Sequence, residues 1–350
     1  MTHEPASRWR PLRVRSVVEE TADAKSIVFD VPAELAQAFH YRPGQFLTLR
    51  LPVAGRHLPR CYSMSSAPAV DDAPRVTVKR VDRGRGSNWL CDHAEPGLLL
   101  EVLPPAGVFT PRTLDGDFLL LAGGSGITPV FSILRSVLAQ GQGRITLIYA
   151  NRDERSVIFG RELTALAGAH PTRLMVIHWL DSVQGVPSVA QLAELAQPFR
   201  RGQAFVCGPG PFMEACVAAL QGIEMDASQI HVERFASLPD EEDAAATPAA
   251  ELPPAEGVDE AEVEIAHQGQ VHRLRCGGSE TLLDAAMRSG IELPHSCRAG
   301  LCASCMCQVQ EGRVHLRANE VLDKKDLAKG WTLACQAVPT SPRLRVRFAE

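Results

Sequence analysis

Residues 295–305 read HSCRAGLCASC, and Cys335 follows the last of them across 29 intervening residues. The pattern Cys297-x4-Cys302-x2-Cys305, completed by one distant cysteine, is the spacing that holds a [2Fe–2S] cluster. Each iron of such a pair takes two thiolates, and the two irons lie close together. Three ligands from one tight loop and a fourth from a remote strand enclose them. The loop residues Ala299, Gly300, Ala303 and Ser304 are small, so backbone amides approach the sulfides and stabilise their charge. A zinc ribbon would need two Cys-x2-Cys knuckles, and this segment has one. A thioredoxin-like pair would leave Cys297 and Cys335 unused. Cys307 lies outside the pattern and reads as a small core hydrophobe.

Outward from this loop, residues 262–350 read as a domain of their own. The pattern predicts an opening hairpin, VEIAHQGQVHRLRC, turning at Gln268-Gly269, then a helix at TLLDAAMRSG and a closing strand RLRVRF. Residues 237–261 precede them and hold 8 acids and no bases among alanines and prolines, the composition of a solvated, extended linker. Net charge is −5 over 350 residues, and that linker carries all of it: residues 1–236 sum to +1 and residues 262–350 to +2. The near-neutral folded parts argue against a nucleic-acid partner. Hydrophobic residues make up 45% of the chain, enough for ordinary cores. The most apolar stretch, DFLLLAGGSGITPVFSIL, is broken by glycines and a proline, so no membrane span is expected. The N-terminus lacks an apolar export segment, and a cytoplasmic setting with reduced thiols is expected.

The N-terminal unit changes character near residue 112. Before it, short alternating runs such as LRVRSVVEE, KSIVFDVP, QFLTLRLP and RVTVKRV, punctuated by turns such as Arg42-Pro43-Gly44, predict antiparallel strands in a barrel or sandwich. After it, apolar strands alternate with helices, which predicts βαβ units and a parallel sheet. Within the first part, Arg60-Cys61-Tyr62-Ser63 is read as following a strand. Arginine clamps a phosphate, and tyrosine offers a flat face and a hydroxyl. The plain alternative is an exposed arginine and a tyrosine packed in the barrel. Downstream come Val78-Lys79-Arg80 and then Gly84-Arg85-Gly86-Ser87, glycines and a serine at a helix start, a cradle of free amides for phosphate.

In the second part, the strand Asp117–Ala122 feeds Gly123-Gly124-Ser125-Gly126-Ile127-Thr128-Pro129, a glycine turn before a helix, with Thr128 placed to cap it and Pro129 in its first position. The string departs from the Rossmann G-x-G-x-x-G and would also suit an ordinary tight βα turn. Cys207-Gly208-Pro209-Gly210-Pro211 ends a later strand at the carboxyl edge, where open α/β sheets bind ligands. Cys207 taken alone reads as an inert buried thiol. Strand ITLIYA ends at Asn151-Arg152-Asp153-Glu154, where an acid suits a ribose diol and an arginine a 2′-phosphate. NADH is favoured, with NADPH possible.

These motifs, in this order, resemble the ferredoxin–NADP reductase superfamily, and residues 262–350 resemble a plant-type ferredoxin with its β-grasp fold. The layout is similar to oxygenase reductase components with a C-terminal ferredoxin. Strings such as RCYSMSS, EVLPPAGVF and VIHWLDSVQGVPS look like the reductases of 3-ketosteroid 9α-hydroxylases, which serve Rieske oxygenases. Phenylacetyl-CoA epoxidase reductases share the layout. The resemblance implies an FAD β-barrel at 1–111, an NAD(P) α/β domain at 112–236, the linker at 237–261 and the ferredoxin domain at 262–350. FMN serves in a sister branch of the phthalate type. It implies Arg60, Tyr62 and Ser63 on the flavin, Gly86 and Ser87 on its diphosphate, and Lys79 among the cofactor-binding residues. Gly124, Thr128, Gly208 and Pro209 would hold the nucleotide, and Cys207 would lie beside the nicotinamide. Phe235 would lie against the flavin, or else be a core residue. Electrons would pass from NAD(P)H through FAD and the cluster to a terminal oxygenase. No protein acid, base or nucleophile is required. A flavin and iron–sulfur redox sensor without turnover is the rival from another class.

Overall fold

In the computed structural model the described residues are 9–107, 109–233, 258–267, 269–291, 293–295, 300, 304–319, 322 and 324–348. The chain divides into two compact units, Met1–Phe235 and Ala236–Glu350.

The first unit begins with six antiparallel strands, β1 (Arg10–Thr21), β2 (Ala24–Asp30), β3 (Phe46–Val53), β4 (Arg56–Ser63), β5 (Arg75–Lys79) and β6 (Leu99–Ala106), in the order β4-β3-β6-β1-β2-β5. A bridge between Met64 and Val76 brings the two edge strands together and closes the sheet into a barrel. Period-two alternation turns Leu12, Ile27, Phe29, Leu47, Leu49 and Val76 inward, all fully buried. Each contributes about 1.5–3 kcal/mol of apolar transfer. Helix α1 (Arg85–His93) adds Leu90 and Cys91 to this core. Arg60, Tyr62 and Ser63 lie within β4 rather than after a strand, because the pairing of β3 with β4 continues through Leu49–Arg60 and Leu47–Tyr62 to Phe46–Ser63.

The same unit continues with a parallel sheet of β7 (Phe118–Gly123), β8 (Ile145–Asn151), β9 (Leu174–Leu180), β10 (Gln203–Cys207) and β11 (Ile230–Glu233), in the order β11-β10-β7-β8-β9. All six residues of β7 are buried, as a central strand covered on both faces requires. Helices α2 (Ile127–Gln140) and α3 (Gly160–Ala169) pack on one face. The short α4 (Asp181–Gln184) follows β9, and α5 (Val189–Ala196) and α6 (Gly210–Gly222) cover the other face. Strand order reverses between β7 and β10, which makes their carboxyl ends the switch point of the sheet.

Thr128 does not cap α2. Gly124–Gly126 form a 3-10 turn that winds straight into the helix. Gly126 already has helical φ −61° and ψ −11°, so no extended residue is left to receive a side-chain cap. Thr128 is instead the second helical residue, and its hydroxyl donates back to the Ser125 carbonyl at 3.1 Å. Pro129 accordingly sits third rather than first.

The second unit is a mixed sheet of β12 (Glu260–His267), β13 (Gln270–Gly277), β14 (Met306–Glu311), β16 (Trp331–Leu333) and β18 (Arg343–Phe348), in the order β13-β12-β18-β14-β16. A two-stranded ribbon of β15 (Val314–Leu316) and β17 (Ala337–Pro339) joins it. Helix α7 (Leu282–Arg288), capped by Thr281, presses Leu282, Leu283, Ala285 and Ala286 into the core. The hairpin turns as expected, with Gly269 at φ +71°. Cys307 is fully buried in this core, where desolvation drives its thiol pKa up.

Candidate functional site

In the barrel, the side chains of β4 and the start of α1 converge. A Cβ added to Gly86 would stand 2.9 Å from Arg60 Cγ, 3.2 Å from Leu51 Cδ1 and 3.3 Å from the Tyr62 hydroxyl. Only glycine lets the amide end of α1 come this close to Arg60 and Tyr62, which is the surface an anionic, flat-ringed ligand needs. Burial pushes the Tyr62 phenol pKa up while the Arg60 charge pulls it back, so Tyr62 stays a hydrogen-bond donor across the neutral range. Ser63 is buried in the same strand. Ser87 Oγ accepts from the Val81 amide at 3.2 Å and thereby fixes the turn that enters α1. Lys79 is at the end of β5, where its ammonium is 3.6 Å from the Asp23 carboxylate. These residues fit a flavin diphosphate.

At the switch point of the parallel sheet, two loops touch through glycines. A Cβ on Gly126 would lie 2.2 Å from the Cys207 carbonyl oxygen, and one on Gly208 would lie 2.9 Å from the Gly123 amide nitrogen. The turn after β7 and the turn after β10 are thus in backbone contact. Pro209 closes against Gly123, 2.8 Å from where its Cβ would be. Gly124 takes φ +52°, and its carbonyl accepts from the Tyr149 hydroxyl at 3.1 Å. The same hydroxyl accepts from the Ile158 amide at 3.2 Å. Cys207 is fully buried, and both burial and the facing Glu233 raise its pKa, so it is a neutral thiol. Desolvation lifts Glu233, in register with Cys207 on β11, to a pKa of about 8.

Sequence reading did not single out Tyr149, Asn151 or Glu233. Asn151 ends β8, is 4% exposed, and has neither amide atom in a hydrogen bond of good geometry. Asp181, which follows the Leu180 that pairs with Asn151, keeps a buried oxygen without a partner among the described residues. Polar side chains buried at a carboxyl edge fit a polar ligand such as a dinucleotide. The available signal was a tyrosine and an asparagine close to the end of the largely apolar strand ITLIYAN. Arg152 and Asp153, which the sequence offered as ribose or phosphate partners, bind each other at 3.2 Å, and Asp153 caps the following turn through Ser156.

Phe235, Cys297 and Cys302 lie outside the described residues. Of the other two expected cluster ligands, Cys305 stands just before β14 and Cys335 just after β16. The Cys335 amide donates to Cys305 Sγ at 3.5 Å, and the Ala334 amide donates to the Cys305 carbonyl at 3.0 Å. Both thiols are buried. An amide aimed at a thiolate sulfur stabilises negative charge there, which fits a metal–sulfur cluster. Gly300, in the ligand loop, has φ +76°, and a Cβ there would stand 2.6 Å from the Ala318 carbonyl.

Residues 11–110 match the oxidoreductase FAD-binding domain family, residues 120–218 the oxidoreductase NAD-binding domain family, and residues 265–340 the 2Fe-2S iron-sulfur cluster binding domain family. The chain is 52% identical to a 3-ketosteroid-9-alpha-monooxygenase ferredoxin reductase component of Rhodococcus rhodochrous, covering 98% of this chain and 97% of that one. It is 34% identical to a component of the 1,2-phenylacetyl-CoA epoxidase of Escherichia coli, covering 97% and 98% of the two chains. Phthalate dioxygenase reductase shares the fold, with a TM-score of 0.60 at 24% identity over 97% of this chain and 98% of that one. The chain therefore belongs to the ferredoxin–NADP reductase superfamily, among the oxygenase reductase components that join an FAD domain, a nicotinamide domain and a C-terminal [2Fe–2S] ferredoxin domain.

Proposed function

We propose that this reductase takes electrons from NADH and delivers them to a Rieske-type terminal oxygenase of the 3-ketosteroid 9α-hydroxylase kind. Bound FAD would supply the conversion of a two-electron hydride into single electrons, and the cluster a one-electron carrier. The chain's own residues bind and orient. Arg60, Tyr62 and Ser63 hold the flavin, and the α1 amides at Gly86 and Ser87 take its diphosphate. The turn at Gly124, braced by Thr128, receives the nucleotide diphosphate. Cys207, Gly208 and Pro209 form a small-profile wall for the nicotinamide, and Phe235 shields the flavin face. Cys297, Cys302, Cys305 and Cys335 ligate the cluster. The observation that carries this reading is the backbone contact of Gly126 with Cys207, which joins the diphosphate turn to the nicotinamide wall.

The preference for NADH rests on charge. Asp153 and Asp181 stand at the ends of neighbouring strands β8 and β9, and Arg152 is already paired with Asp153. A 2′-phosphate would meet net repulsion there. The Rieske partner rests on the 52% identity to a 3-ketosteroid-9-alpha-monooxygenase reductase component, against 34% to the phenylacetyl-CoA epoxidase component.

The test is anaerobic mixing of purified protein with NADH, followed by coupled assays. Flavin bleaching, ferricyanide turnover and NADH-coupled hydroxylation with a 3-ketosteroid oxygenase component are the expected results. In Cys302→Ser, flavin reduction should persist and cytochrome c reduction should vanish. Flavin and cluster without turnover would make the protein a sensor. Coupling only to an epoxidase of the phenylacetyl-CoA type would replace the Rieske partner.

A further inference from the structure

The barrel and the parallel sheet belong to one compact unit, and the segment leaving the flavin strand is bolted to the helix that begins at the nucleotide turn. Ser132 Oγ on α2 donates to the Ser66 carbonyl at 2.5 Å, and both residues are fully buried. Tyr41 donates to Ser66 Oγ at 2.6 Å, and that oxygen also accepts the Arg75 amide at 2.9 Å. Arg75 on β5 reaches both ways. Its Nε donates to Ser65 Oγ at 3.1 Å, while its guanidinium lies 5.8 Å from the ring centre of Phe131 and 5.1 Å from that of Phe159. Beside it, Arg135 of α2 grips the Asp71 carboxylate with two hydrogen bonds, at 2.5 and 3.0 Å.

The path between the two binding segments is short. Ser66 is three residues beyond Ser63, and Ser132 is one helical turn, about 6 Å, beyond Thr128. A buried hydrogen bond between them has little slack, since native packing transmits displacements rather than absorbing them.

We propose that Ser132 and Arg75 are positioning residues for hydride transfer: they fix the spacing and tilt of the nicotinamide site relative to the flavin site by locking α2 to the exit of β4. The proposal rests on the flavin and nicotinamide sites given above. Neither side chain touches a reacting atom. Their effect falls on the rate of the transfer step and not on how tightly either cofactor binds, because each binding segment stays intact on its own side of the lock. Loss of alignment by a fraction of an ångström to 1 Å costs on the order of tenfold to a hundredfold in rate.

Ser132→Ala, Arg75→Ala and Arg75→Lys are made in the full holoprotein, and flavin content, the first-order limit of flavin bleaching by NADH, and the NADH concentration at half-saturation are measured anaerobically. Amide hydrogen exchange is followed over residues 64–75 and 127–140. In Ser132→Ala and Arg75→Ala the limiting rate should fall about tenfold or more, with flavin content unchanged and half-saturation within about twofold. Exchange should rise at the Ser65–Ser66 segment and not in the central strand β7. Arg75→Lys, which keeps the cation over the rings and loses the planar fork, should recover part of the rate. Unchanged limiting rates in both truncations overturn the proposal, as does a rate that falls only in step with lost flavin. If Arg75→Ala fails to fold, Ser132→Ala, which removes one hydroxyl, decides by itself. A wild-type protein that NADH does not bleach would overturn the underlying site reading instead, and the exchange result would still report on the lock.

Discussion

The α-carbon of Gly126 faces the Cys207 carbonyl so closely that a methyl group there would sit 2.2 Å from the oxygen, although the two residues are 81 positions apart. The three atoms nearest the added one are all backbone, so neither loop can yield by rotating a side chain. Gly126→Ala should therefore part the two turns at the head of the sheet. We expect a loss of about 1–3 kcal/mol of stability, typical of overpacking, and a larger loss of NADH-dependent ferricyanide reduction. Thermal melts and steady-state assays on the same preparation measure both.

Gly86 presents the opposite case. The atoms that meet its added Cβ are the Arg60 stem, the Leu51 methyl and the Tyr62 hydroxyl, all side-chain atoms. Gly86→Ala should fold nearly as well as the parent, because those groups can shift, while the phosphate cradle narrows. The flavin-to-protein ratio after desalting should fall severalfold, and a melting temperature unchanged in the flavin-free form should accompany it.

Cys305 and Cys335 are linked by an amide-to-sulfur hydrogen bond in the ferredoxin unit. Replacing either by serine should remove inorganic sulfide and iron from the purified protein and abolish cytochrome c reduction. Bleaching of the flavin by NADH should continue at the parent rate, since the first unit is compact by itself.

Tyr149 fastens the glycine turn after β7 through two hydrogen bonds, donating to Gly124 and accepting from Ile158. Tyr149→Phe leaves both backbone groups without this partner at a buried position. A loss of about 1–3 kcal/mol is expected in denaturant unfolding, with half-saturation for NADH raised.

Glu233 gives a pH signature with a definite sign. Burial lifts its pKa from the ordinary 4.5 to about 8. Between those values the folded protein keeps the proton and the unfolded chain releases it. This contribution is complete below about pH 4.5 and is lost as pH rises through about 8. Glu233→Gln should flatten the decline of melting temperature over that window. A slope identical to the parent's would show that the carboxyl is ionised in the fold.

Much of the molecule is legible in one dimension. The cysteine spacing points to a [2Fe–2S] domain, as the family match over residues 265–340 agrees, strand alternation before residue 112 gives the barrel, and the strand–helix rhythm after it gives the parallel sheet. Local patterns suffice there because periodicity reports which face a residue turns inward, and metal ligation reports itself as spacing. The helix start at Thr128 departs from the local pattern, since the 3-10 turn of Gly124–Gly126 obeys the packing of Gly126 on Cys207 and not the capping preference of threonine.

What the chain alone determined, then, is an inventory: an electron-transfer reductase with an FAD barrel, a nicotinamide domain and a ferredoxin domain that carries a [2Fe–2S] cluster. Only the fold in three dimensions decided which inventory members meet. It set Gly86 on Arg60 and Tyr62, tied up Arg152 with Asp153, left Asn151 buried at the sheet edge, and joined Ser66 to Ser132. The reason is physical. Periodicity and spacing are properties of neighbours along the chain, whereas desolvation, backbone contact and hydrogen-bond pairing arise between segments tens of residues apart and exist only after both have packed.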